Sequence, residues 1–165
     1  MLKILIIDDD EFDRSAIVRS MKKSNVDAEV VQAATASDGL RLAKNHEFDV
    51  ILLDYSLPDQ NGLDLLISLR ENEIADTAIV MVSQKEDDDL TEQAIDAGAQ
   101  DFVLKEEINP HRLIRAIRQA QHRYAMERTL RTTNNILKNI AERDTLTGLA
   151  NRHTFEHTLK TAVTR

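Results

Sequence analysis

Five polar residues stand where a chain of this kind could do chemistry. Asp8 and Asp9 close one short apolar run, Asp54 closes a second, Ser83 a third and Lys105 a fourth. Carboxylates that converge on one pocket repel each other and raise each other's pKa unless a cation sits among them. An all-oxygen set drawn from Asp8, Asp9 and Asp54, with room for water, suits Mg²⁺ better than a softer metal. An aspartate can also attack phosphorus and form an acyl phosphate. A metal and the Lys105 ammonium would then neutralise the transferred oxygens, and the Ser83 hydroxyl could donate to them.

Each residue also has a plainer reading. Asp8-Asp9-Asp10 ahead of a helix can cap it and favour its dipole, and Asp10 is expected to do only that. Asp54 could be a turn residue before Pro58, and Lys105 a solvated surface lysine. Four strand ends carrying such residues together favour the chemical reading over four coincidences.

The elements that must position them follow from hydrophobic spacing. Residues 3–7, 29–33, 50–53, 79–82 and 101–104 are short and apolar on consecutive positions, as in a parallel sheet covered on both faces. Helix-period spacing fills the gaps: Ala16, Ile17 and Met21; Leu40 and Ala43; Leu63, Leu66, Ile67 and Arg70; Leu90, Ala94, Ile95 and Ala97, which Gly98 could close. A fifth helix starts at Asn109-Pro110, a cap followed by proline at the first helical position. Strand and helix alternate five times, which predicts an α/β fold with a doubly wound parallel sheet and right-handed crossovers. Ligands of such sheets collect at the carboxyl ends of the strands.

The fifth helix outlasts the sheet. Residues 110–143 contain neither glycine nor further proline, and Met126, Leu130, Thr133, Leu137 and Ile140 follow alternating spacings of four and three. A projecting helix with a heptad seam is expected; a helix–turn–helix broken at Thr132-Thr133-Asn134-Asn135 is the alternative.

Composition bounds the rest. The 165 residues hold no cysteine, which excludes disulfides and thiolate metal sites. No apolar run approaches the roughly 20 residues of a membrane span, and a cytoplasmic protein without a membrane partner is expected. Residues 1–105 carry 10 Lys/Arg against 23 Asp/Glu, whereas residues 106–165 carry 11 against 6. An acidic body argues against nucleic acid as its partner, and the basic tail reads as the solvated face of a helix.

Residues 1 to 121 resemble a response-regulator receiver domain of two-component signalling. The resemblance rests on Ile4-Leu5-Ile6-Ile7-Asp8-Asp9-Asp10, on the stretch from Asp49 to Gly62 with Asp54 and Pro58, on Ile79-Val80-Met81-Val82-Ser83, and on the stretch from Gly98 to Lys105. It implies a flavodoxin-like strand order 2-1-3-4-5, Mg²⁺ held by Asp8, Asp9, Asp54 and the backbone carbonyl of Ser56, and phosphorylation of Asp54 by a histidine kinase or phosphotransfer protein. Lys105 would pair with the phosphate. Ser83 and Phe102 would move as the switch pair, repacking the face made by the fourth helix, fifth strand and fifth helix, through which two chains would dimerise. Two positions depart from the family's usual pattern. Glu106 replaces the proline that commonly follows the lysine, leaving the Lys105–Glu106 peptide open between cis and trans. Gln84 replaces a small residue and is expected to shield the acyl phosphate from water.

Asp144-Thr145-Leu146-Thr147-Gly148-Leu149-Ala150-Asn151-Arg152 resembles the opening signature of a diguanylate cyclase (GGDEF-type) domain. No Gly-Gly-(Asp/Glu)-(Asp/Glu)-Phe run follows, so the reading is of a receiver at 1–121, a helical linker at 122–143 and the truncated start of a cyclase domain at 144–165. The chain itself is expected not to be an enzyme. His153 and His157 have helical zinc-ligand spacing but lack a third ligand. Two other functions are compatible with these residues. One is a dimerising scaffold that takes no phosphate. The other is an aspartate-nucleophile phosphatase, which would want a second aspartate where Ser56 stands.

Overall fold

The computed structural model describes residues 1–72, 76–85 and 87–142. Five strands, β1 (Leu2–Ile7), β2 (Ala28–Ala33), β3 (Val50–Asp54), β4 (Ala78–Ser83) and β5 (Asp101–Leu104), alternate with α1 (Glu11–Lys23), α2 (Ala36–Asn45), α3 (Gly62–Glu71), α4 (Asp88–Asp96) and α5 (Pro110–Glu142). The strands form one parallel sheet in the order β2-β1-β3-β4-β5. The fold is the expected flavodoxin-like one.

Period-two alternation explains why it winds on both faces. Leu5, Ile7, Ile51, Leu53, Ile79 and Met81 point to the side covered by α2, α3 and α4. Their neighbours Ile4, Ile6, Val50, Leu52, Val80 and Val82 point to the side where Ile17 and Met21 of α1 and Leu113, Ala116, Ile117 and Ala120 of α5 pack. The central strands are therefore apolar on consecutive positions, as a sheet buried on both faces requires.

The loops carry their own instructions. Asp10 caps α1 by accepting from Phe12 N at 2.7 Å, the role expected of it. Gly98 follows α4 at φ 103°, the left-handed conformation that ends a helix most readily with glycine. Asn109 Oδ1 accepts from Arg112 N at 2.9 Å and Pro110 opens α5. That helix runs 33 residues, or about 50 Å.

The chain divides into two compact units, Met1–Tyr124 and a second that begins at Ala125. On the second, Met126, Leu130, Leu137 and Ile140 are each more than half exposed. The cyclase-like segment and His153 with His157 lie outside the described residues. Among the described residues no helix is long and apolar enough to cross a membrane.

Candidate functional site

Strand register levels the polar residues at one edge of the sheet. Ile7 pairs with Leu53, Asp54 with Val82, and Ser83 with Leu104. Asp8, Asp54, Ser83 and Lys105 therefore sit within about one residue of a common line, the carboxyl edge. Gly62, the first residue of α3, is what lets the loop after Asp54 fold back so tightly. Its N–H donates to Tyr55 O at 2.8 Å, and a Cβ there would collide with Asp54 O.

Asp8, Asp9 and Asp54 each bring one carboxylate oxygen within 4.8 Å of the other two; Asp8 and Asp54 are buried and Asp9 is exposed. Lys105 Nζ lies among them. It donates to Asp54 Oδ2 at 3.0 Å and to Asp13 Oδ2 at 2.8 Å. It also lies 2.8 Å from Asp8 Oδ2, completing an ion pair there. That oxygen is buried, with the Lys105 ammonium facing it. Asp8 Oδ1 is better served, accepting from Asp10 N at 2.9 Å, and Arg14 Nη1 donates to Asp8 O at 2.7 Å.

Three carboxylates thus touch one ammonium, with Asp9 beside two of them, and the electrostatics follow. Burial, aided by the nearby Asp8 charge and opposed by Lys105, pushes Asp54 up to about 6. Burial also raises Asp8 above the usual carboxylate range, against the pull of Lys105. Burial alone would lower Lys105, but contacts with Asp13, Asp8 and Asp54 overcome it and hold the ammonium protonated. A hard-oxygen pocket with surplus negative charge is what a divalent cation with oxygen preference would fill.

Asp9, Asp54, Ser56, Gln84 and Lys105 line a cleft of about 320 Å³ above the cluster. The structure thus brings Asp8, Asp9, Asp54, Ser56 and Lys105 together. Ser83, at the end of β4, is turned away: its Oγ donates to Lys85 O and accepts from Lys85 N, both at 3.2 Å. Phe102 is half-buried against the core on the α4 side. The Lys105–Glu106 peptide is trans, and Lys105 opens a 3-10 turn, Lys105–Glu107. Asp13 was not foreseen from the sequence, where an acid in the first turn of a helix reads as a dipole partner. Its place four residues after Asp9, on the helix entering from the site, was the available signal.

Comparison with known proteins agrees with this geometry. Residues 4–118 match the family model of the response regulator receiver domain. The chain is 34% identical over 118 residues to the nitrate/nitrite response regulator protein NarL of Escherichia coli, covering 71% of this chain and 53% of that protein. It is 36% identical to the transcriptional regulatory protein KdpE of Mycobacterium tuberculosis over 107 residues, 64% of this chain and 45% of the relative. The chain spans about half the length of these curated relatives. Among solved structures, a CheY-like receiver domain protein from Methanospirillum hungatei aligns with TM-score 0.65 and 26% identity over 77% of this chain and 98% of its own. The receiver domain of the putative response regulator NarL of Mycobacterium tuberculosis aligns with TM-score 0.66 and 26% identity, over 73% and 96% of the two chains. Sequence, sheet order and the carboxylate cluster at the sheet edge converge, and the chain belongs to the response regulator receiver family.

Proposed function

We propose that Asp54 accepts a phosphoryl group, in a Mg²⁺-dependent transfer from a histidine kinase or phosphotransfer protein, and that this switches an output carried beyond α5. The observation that carries the proposal is the buried Asp54 carboxylate, 3.0 Å from Lys105 Nζ and converging with Asp8 and Asp9. An Asp54 oxygen is the nucleophile. Asp8, Asp9, Asp54 and the Ser56 carbonyl would hold Mg²⁺, which when bound supplies positive charge to the transferred oxygens. Lys105 pairs with one of those oxygens. Ser83 gives up its bond to Lys85 to reach another, and Phe102 turns inward behind it, repacking the α4–β5–α5 face.

That repacking would change how two chains associate, through this face and through the exposed seam from Met126 to Ile140. The segment from Asp144 to Arg152 supports a diguanylate cyclase as the regulated output. The chain by itself would act as a switch in the cytoplasm, not as a cyclase. The test is incubation with acetyl phosphate and Mg²⁺, read by intact mass, with Asp54→Asn as control. One phosphoryl group on the wild type and none on the variant is expected; equal labelling of both would remove Asp54 as acceptor. Beryllofluoride with Mg²⁺ should then shift the sedimentation equilibrium toward dimer. An unchanged equilibrium with Asp54 occupied would sink the switching half of the proposal.

A further inference from the structure

Phosphoryl transfer asks Lys105 to face one residue, Asp54, yet its ammonium has a second full hydrogen bond. Asp13 Oδ2 accepts from Nζ at 2.8 Å, closer than Asp54 Oδ2 at 3.0 Å. The Lys105 side chain is 8% exposed and that of Asp13 29%, so the contact is largely shielded from water. Asp13 stands apart from the group of Asp8, Asp9 and Asp54 that could hold a metal ion. It rides on the first turn of α1, where its own N–H makes a long contact of 3.4 Å to the capping Asp10 Oδ1.

The separation matters because two cations would compete for the same oxygens. A divalent ion held by Asp8 and Asp54 would draw off the negative charge that now attracts Lys105, and would repel the ammonium directly. Asp13 is the one carboxylate touching Lys105 that such an ion would leave to it. We infer that Asp13 is the positioning residue of Lys105, holding the ammonium at Asp54 while a divalent cation occupies the three-carboxylate group. The inference rests on the proposed phosphoryl transfer. In that step an Asp54 oxygen forms a bond to phosphorus as the bond between phosphorus and the donor's acetate oxygen breaks. Acetate leaves with the electron pair, and no proton is needed. Without Asp13, the ammonium would be displaced toward solvent by the cation and would arrive late at the transferred oxygens.

Two measurements on Asp13→Asn test this, with acetyl phosphate as donor. The phosphorylation rate at saturating Mg²⁺ and donor should fall about tenfold, as for loss of one charge-assisted contact in a transition state. Independently of any reaction, acylation of Lys105 by acetic anhydride, mapped by peptide mass, should rise about tenfold in the variant when Mg²⁺ is present. Lys3 and Lys44 serve as internal controls, and Asp13→Glu should restore most of the protection. A rate and a Lys105 reactivity both within about twofold of wild type would overturn the inference while leaving phosphorylation of Asp54 standing. A faster variant would also overturn it, since Asp13 would then compete for the lysine. If wild type itself took no phosphoryl group, the functional reading would fail and this inference with it.

Discussion

The two ends of the sheet handle a cation in different ways. At the carboxyl edge, Lys105 is outnumbered by Asp8, Asp9, Asp13 and Asp54, and two of these carboxyls are pushed up by burial. At the amino edge, Arg70 of α3 has neutral oxygens among its acceptors. It donates to Thr77 O at 2.8 Å, Gly98 O at 3.1 Å and Gln100 Oε1 at 2.9 Å, and its Cζ lies 5.0 Å from the Tyr124 ring centroid. Gln100 in turn accepts from Ile79 N at 2.8 Å and donates to Gly98 O at 3.0 Å. Tyr124 Oη donates to Asp76 at 2.6 Å, which ties α5 to the turn before β4. The amino edge joins strands that would otherwise leave carbonyls without donors. The carboxyl edge keeps repulsion that only a cation or a change of charge relieves. One end holds the fold together, and the other gathers charge that opposes it.

The largest effect should come from breaking the amino edge. Arg70→Met keeps the aliphatic length but removes the donors to Thr77 and Gln100, both buried, and the stacking on Tyr124. A loss of about 3 kcal/mol is expected in urea unfolding, as for removing a charged donor from buried acceptors together with a cation–π contact. Unchanged stability would mean that the end assigned to structure does not carry it.

Removing charge from the carboxyl edge should have the opposite sign. The folded-state pKa of Asp54, about 6, lies above its ordinary 3.8, so ionising this group costs more in the folded than in the unfolded chain. Stability is therefore undiminished below about pH 4, falls as pH rises through about 6, and stays reduced above that. Asp54→Asn should stabilise the protein by about 2 kcal/mol at pH 7.5 without Mg²⁺, and the gain should vanish near pH 4. Thermal melts at the two pH values check it. A variant less stable than wild type at pH 7.5 would show that Lys105 outweighs the repulsion, and the contrast between the two ends would be lost.

The carboxyl edge was far more legible in the sequence than the amino edge, for a physical reason. Asp8, Asp54, Ser83 and Lys105 each follow a run of consecutive apolar residues, and the end of a buried strand is marked by the first residue that cannot be buried cheaply. What could not be read there was direction: Ser83 points at Lys85, and Asp13 reaches Lys105 across 92 residues of sequence. The amino edge is built almost wholly of such distant pairs. Arg70 falls at a core-facing position of α3, in step with Leu66, and an arginine in an apolar stripe was the one visible hint. Its acceptors Thr77, Gly98 and Gln100, 7 to 30 residues away, come together only once β4 and β5 are laid side by side.

The smallest effect concerns a carboxylate only five residues beyond Asp54 whose pKa moves the other way. Asp59, in the loop between β3 and α3, accepts from Ala36 N at 2.8 Å, Ser37 N at 2.9 Å and Ser37 Oγ at 2.8 Å. These donors at the start of α2 lower it to about 2. A depressed folded pKa contributes stability above the ordinary 3.8, and that contribution is lost as pH falls through about 2. Asp59 is open to water, so solvent and salt screen the contribution, and Asp59→Asn should lower the melting temperature only slightly at pH 7. The difference should shrink in high salt and disappear toward pH 2. A large, salt-independent loss would mean that Asp59 holds the loop after Asp54 in place, in which case phosphorylation should slow as well. A small, screened loss would leave burial among like charges, and not position at the carboxyl edge, as what sets Asp54 apart.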